Sequence, residues 1–140
     1  MKHFTSLQRA TLCAALDRII PPDDYPSATQ NGVLEYLERQ FDRDLQPLLE
    51  TYHHGLDALH YESHLHFEQN FAHLAPPQQD SVLSRIEHGD VAAAWPVEPR
   101  QFFQLLTQHC AEGYYSDPGN GGNPQMASWK MVGFDQGVDL

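Results

Sequence analysis

Basic residues are scarce in this sequence: eight Lys and Arg stand against nineteen Asp and Glu, a formal net charge of −11 with neutral histidines. Such a chain repels phosphate backbones, so nucleic acid is excluded as the expected partner. No apolar run reaches the roughly 18 residues that a membrane-spanning helix needs. Met1–Ala10 holds neither a twin-arginine pair nor an apolar signal core, and as written the chain is expected to stay where it is made. Cysteine is equally sparse. Cys13 and Cys110 lie far apart with no second thiol near either; buried free thiols are expected, with a single disulfide as the alternative. Also missing are a GxGxxG fingerprint, a phosphate loop ending in lysine and serine, and a CxxCH haem attachment. Gly119, Gly121 and Gly122 follow a helical segment instead of joining a strand to a helix, which leaves them weak as a phosphate cradle. Ser116, His109 and Asp117 are the residue types of a nucleophilic triad, yet nothing in their spacing brings a base to a nucleophile.

What is present is helical. At 140 residues and 41% hydrophobic, the chain suits one domain, residues 1–140, with one sizeable core. Thr5 and Gln8 form a capping box ahead of Leu12, Cys13, Leu16 and Ile19, so a first helix starts there and must stop at Pro21 and Pro22. Asp23 and Asp24 follow as an acidic turn. Adjacent carboxylates can serve acid–base chemistry, but solvated turn residues are the commoner outcome. A second helix is expected over Asn31–Phe41, burying Val33, Leu34, Leu37 and Phe41. A long helix should then carry a stripe of Leu45, Leu48, Leu49, Tyr52, Leu56, Leu59, Phe67, Phe71 and Leu74. Gly55, Ser63 and His66 interrupt that stripe, predicting a bend or a split. Pro77 opens another helix that buries Val82, Leu83 and Ile86 and closes at Gly89.

The last helix carries Phe102, Phe103, Leu105, Leu106, His109 and Cys110 at three- and four-residue steps. Gly113 within it signals a close backbone approach or a nearby end. Tyr114 and Tyr115 present rings with polar tips, suited to a boundary. Asp117 to Pro124 must turn, and Met126, Trp129, Lys130, Met131, Val132 and Phe134 then form an apolar tail that needs a surface to lie on. That surface is either the protein's own core or a second chain, since Trp, Tyr and Met are enriched at interface centres. The expected fold is therefore all-α, a single compact domain of about five helices with a glycine-rich turn and an apolar C-terminal tail.

Histidine is concentrated on the long helix. His53, Asp57, His60 and His64 fall on one line at steps of four, three and four, a spacing able to present imidazoles and a carboxylate to zinc or iron. The line lies about 100° round from the apolar stripe, so a polar boundary face is the plainer reading. No second helix offers a matching ligand pair. Histidines titrating near neutrality could alternatively tune an interface with pH.

Several stretches together resemble the gluconate 2-dehydrogenase subunit 3 family: LDRIIPPDDYPSA from Leu16 to Ala28, the segment from Gly32 to Tyr36, HLAPPQQDSVL from His73 to Leu83, and FFQLL…AEGYYSDPGNGGN…SWKMVGF up to Phe134. They occur in the family's order over nearly the whole chain. Asn120, where an aromatic is common, and Ser128, where glycine is frequent, depart from the pattern. The resemblance implies a small, helical, non-catalytic subunit with no cofactor of its own. It implies binding to, and assisted folding or maturation of, a large FAD-dependent dehydrogenase subunit of the glucose-methanol-choline type, acting on sugars or polyols, often beside a cytochrome c subunit. Many members carry a twin-arginine signal that exports the complex; its absence here implies a cytosolic partner, a separately exported one, or removal of an upstream segment. The contacts implied are Tyr114, Tyr115, Asp117, Asn123, Trp129, Lys130, Met131 and Phe134. Two other readings remain beside it: a metal-binding helical protein using His53, Asp57, His60 and His64, and a module that self-associates through its tail.

Overall fold

A computed structural model describes residues 3–116. Five α-helices account for most of them: α1 (Ser6–Ile19), α2 (Val33–Gln40), α3 (Leu49–Phe67), α4 (Pro76–His88) and α5 (Pro99–Tyr114). Single 3-10 turns at Gln46–Leu48 and Phe71–His73 precede α3 and α4, and no strand occurs among the described residues. The fold is all-α, as the periodicity implies. The expected glycine-rich turn and apolar tail, with Asp117, Asn123, Trp129, Lys130, Met131 and Phe134, lie outside the described residues.

Local signals set most boundaries. Thr5 accepts from the Gln8 amide and Gln8 accepts from the Thr5 amide, both at 3.0 Å, satisfying two donors that α1 would otherwise leave unpaired. Asp17, near the end of α1, accepts from the Thr29 amide at 2.8 Å and its hydroxyl at 2.6 Å, which pins the returning chain. Between them Asp23 accepts from the Tyr25 amide at 2.8 Å, a local turn in which the carboxylate does structural duty. Helix α2 begins two residues later than the sequence suggests, because Gly32 adopts a left-handed φ of 85° that L-residues avoid. Pro76 starts α4 and Gly89, at φ 73°, ends it. Glu98 caps α5 by accepting from the Gln101 amide at 2.8 Å.

The long helix differs from expectation at both ends and in its middle. It starts at Leu49, leaving Leu45 and Leu48 in the preceding turns. No break occurs at Gly55 or Ser63. Gly55 instead admits the Phe102 ring, which would lie 2.3 Å from a Cβ at that position, and buried Ser63 returns its hydroxyl to the Leu59 carbonyl at 2.9 Å. The break falls at Glu68, whose φ of 57° stops the helix; Phe71 and Leu74 then reach the core from separate turns.

Helix α5 packs on α4, α2, α1 and α3, while α1 also lies against α3 and α4. Core aromatics run edge to face through the interior: Phe4 on Phe41 with ring centroids 5.4 Å apart, Phe41 on Tyr52 at 4.9 Å, and Tyr52 on Phe102 at 5.7 Å. Such geometry sets the positive ring edge against the negative face of the next ring. Outside the core, Arg18 grips Asp80 with two bonds of 2.9 and 3.1 Å, joining α1 to α4.

Candidate functional site

The end of α5 gathers three of the stretches that carry the family resemblance. Gly113 is one residue from the helix end and also a close approach: a Cβ there would sit 2.8 Å from the Tyr36 ring and 3.2 Å from Val33. Asn31, buried before α2, donates its side-chain amide to the Tyr114 carbonyl at 3.2 Å, meeting one of the acceptors a helix end exposes. Tyr114 is only 1% exposed, and its hydroxyl donates to the Pro26 carbonyl at 2.7 Å. Tyr114 therefore closes the fold across Pro26 and Asn31. Tyr115 stacks edge-on against it with centroids 5.4 Å apart and is 43% exposed. Of the two tyrosines, Tyr115 is the one that presents area at the surface.

His109 and Ser116 do not form a nucleophilic pair. Ser116 donates to the Gly113 carbonyl at 2.9 Å, while His109 is buried and its Nδ1 lies 2.7 Å from the Tyr52 hydroxyl. Burial pushes the His109 pKa down and the Tyr52 pKa far up. Neutral imidazole accepts and tyrosine donates, which makes this a core lock between α3 and α5. Cys13 and Cys110 are free thiols. Burial pushes Cys110 up to about 12 and raises Cys13 as well, so neither presents a thiolate near neutrality.

The histidine line is taken apart by its neighbours. His53 Nε2 bonds the His3 carbonyl at 2.6 Å, Asp57 accepts from Gln8 at 3.1 Å, and His64 Nε2 meets Asn70 Oδ1 at 2.7 Å. His60 packs its ring edge-on against that of His64, centroids 4.6 Å apart, and its Nδ1 is buried without a hydrogen-bond partner. Burial and then His64 hold the His60 pKa down. Among the described residues no three His, Cys, Asp or Glu side chains converge as ligands, so the metal-binding alternative on α3 finds no preformed ligand set there.

One buried acid escaped the sequence reading. Glu62 is fully buried, and each of its oxygens takes two donors. Oε2 accepts from the Ala92 amide at 2.8 Å and His66 Nε2 at 2.7 Å; Oε1 accepts from the Ala93 amide and Trp95 Nε1, both at 3.0 Å. Burial alone would raise the Glu62 pKa, but the bonds from Trp95, Ala92, Ala93 and His66 outweigh it and hold the carboxyl below its ordinary value. The charge is thus stitched between α3 and the α4–α5 linker. A signal existed: Glu62 follows Leu59 by three residues on the apolar stripe, where a charge demands a partner.

Beside this lock, Tyr61 and Leu65 are 61% and 60% exposed on α3. They border a hollow of about 560 Å³ walled by Ala92, Ala93 and Ala94, and Tyr61 and Ala94 also edge a second of about 140 Å³ reaching Asp57 and Pro96.

Among the described residues, Glu62, Asp17, Asp57, His53, His64 and His109 are engaged in ties within the fold, while Tyr61, Leu65 and Tyr115 leave apolar area exposed. The chain belongs to the gluconate 2-dehydrogenase subunit 3 family, whose sequence profile matches residues 6–137. No curated protein and no solved structure matches it. No helix among the described residues is long and apolar enough to cross a membrane.

Proposed function

We propose that this chain is a non-catalytic small subunit that binds a large FAD-dependent sugar or polyol dehydrogenase subunit and assists its folding or maturation. Membership of a family defined as a subunit, over residues 6–137, carries the reading. The engaged state of the buried titratable groups supports it: Glu62, His109 and Tyr52 each face a partner inside the fold. The flavin belongs to the partner, and a cytochrome c subunit is a further candidate member of the complex. Tyr115 and the tail residues Asp117, Asn123, Trp129, Lys130, Met131 and Phe134 are the proposed contacts at the α5 end; Tyr114 acts behind them by fixing the corner.

Co-expression with a candidate large flavoprotein subunit from the same genome tests this. A stoichiometric complex is expected, with the large subunit losing solubility or flavin when the small chain is omitted. A large subunit that folds, retains FAD and turns over equally well alone, with no complex, would overturn the reading.

A further inference from the structure

Among the described residues a further apolar surface lies away from the α5 corner. Tyr61 and Leu65 are four residues apart on α3 and so stand side by side along one face. Singly exposed hydrophobes are ordinary, but here two large ones adjoin two hollows that meet at Tyr61 and Ala94. The opposite wall is the Ala92–Ala94 loop, and that loop is held at the Glu62 carboxylate by two backbone amides. A loop tied down in advance loses little entropy when a ligand seats on it.

The occupant follows from charge and position. Neither hollow is lined by Lys or Arg; His54 and His64 stand at their edges, and Asp57, which also accepts from Gln8, contributes a carboxylate at the rim; the whole chain carries −11. A second copy would bring the same excess of negative charge to the contact. The chain's own tail is acidic too, with Asp117, Asp135 and Asp139 against Lys130. Helix α5 runs antiparallel to α3, since Phe102 meets Gly55 and His109 meets Tyr52, which puts Ser116 roughly 30 Å from Leu65 at 1.5 Å per residue.

We infer that the Tyr61–Leu65 face and the Ala92–Ala94 loop form a second docking surface, filled by an apolar segment of the large subunit flanked by Lys or Arg. The inference rests on the subunit reading above. An aromatic or aliphatic anchor enters the larger hollow, and the cationic flank lies beside Asp57. Docking here and at the α5 corner grips the partner at both ends of the bundle.

Placing a photo-crosslinker by Tyr61→p-benzoylphenylalanine in the co-expressed complex identifies what touches this face. Crosslinking to the large subunit, at a peptide containing Lys or Arg, is the expected result; a crosslink to a second copy or to residues 117–140 overturns the proposal. In parallel, Leu65→Asp and Ala94→Arg should each weaken the complex at least about tenfold, as for loss of an interface anchor, with an unchanged melting curve because both positions are exposed. If both variants bind the large subunit like wild type, the surface is wrong and the subunit reading survives. If wild type itself forms no complex, both fall.

Discussion

Glu62 is the residue on which the α4–α5 linker depends. Glu62→Ala strands two backbone amides and the Trp95 indole in the interior, and hydrogen bonds to a buried charge are individually worth about 1.5–3 kcal/mol. Partial relaxation of the linker offsets some of that, so a net loss of about 2–4 kcal/mol is expected in urea unfolding at pH 7, with a shift in Trp fluorescence. A loss under about 0.5 kcal/mol would mean the lock is idle. The pH dependence has a definite sign. The folded carboxyl titrates below its ordinary value of 4.5, so between the two values the unfolded chain holds more protons and stability rises with pH. The advantage is full above about pH 4.5 and is lost as pH falls through the folded value. Wild type should therefore exceed Glu62→Gln by a margin that shrinks from pH 5 to pH 3. His109 acts in a higher window. Its folded pKa lies below 6.5, so the unfolded chain takes up a proton first and acidification below pH 6.5 costs stability, by at most about 1.4 kcal/mol per pH unit. Replacing it by His109→Gln should flatten the unfolding profile between pH 6.5 and pH 5; an unaltered slope would locate the acid sensitivity elsewhere.

At the scale of elements, the α3–α5 crossing is set by one missing methyl. Gly55→Ala would place a Cβ 2.3 Å from the Phe102 ring, itself 2% exposed, and a packed ring has nowhere to move. The gain in helix propensity, about 1 kcal/mol, opposes an overpacking cost of about 1–3 kcal/mol or more. Net destabilisation is expected by thermal or urea unfolding, and Phe102→Leu in the same chain should cost less than it does in wild type. Full additivity would mean that the two residues do not touch. The same crossing shows what a linear reading reaches. Thr5 with Gln8 and Gly89 were legible because caps act on neighbours three or four residues away, and Pro77 marked the start of α4 to within one residue, since the helix begins at Pro76. The core stripe through Tyr52, Leu56 and Leu59 was legible because burial repeats with the helical turn. Gly55 looked like a break because its reason, Phe102, lies in another helix. Glu62 stood on the apolar stripe as a charge in need of partners, but their identity was hidden for the same cause: three of its four donors sit 30 to 33 residues further on. The histidine line keeps its regular spacing along α3, but the groups that engage it, His3, Gln8 and Asn70, come from other segments that spacing does not reveal. Tyr61 and Leu65, off the stripe, carry no pattern at all, and their meaning appears only with the linker folded beside them.

For the whole molecule the dominant quantity is charge. Even if all eight Lys and Arg were paired, eleven acids would remain uncompensated, and ion pairs such as Arg18–Asp80 leave the carboxylate largely in water. Bringing those acids together on folding costs free energy that salt reduces, because the screening length shortens to about 10 Å at 0.1 M. The isolated chain should therefore melt at a higher temperature in 200 mM than in 20 mM NaCl. Complex formation should respond in the opposite direction. A strongly acidic small subunit approaching cationic flanks on the large one is steered by long-range attraction, and screening removes that attraction. The association rate constant should fall about tenfold over the same range of salt, while the dissociation rate, governed by apolar contacts such as Leu65, should change little. Relaxation of the co-expressed complex after dilution, followed at several concentrations with a fluorescently labelled small subunit, separates the rates. An association rate that rises with salt would mean that like charges meet at the interface, and the cationic partner surface would have to be abandoned.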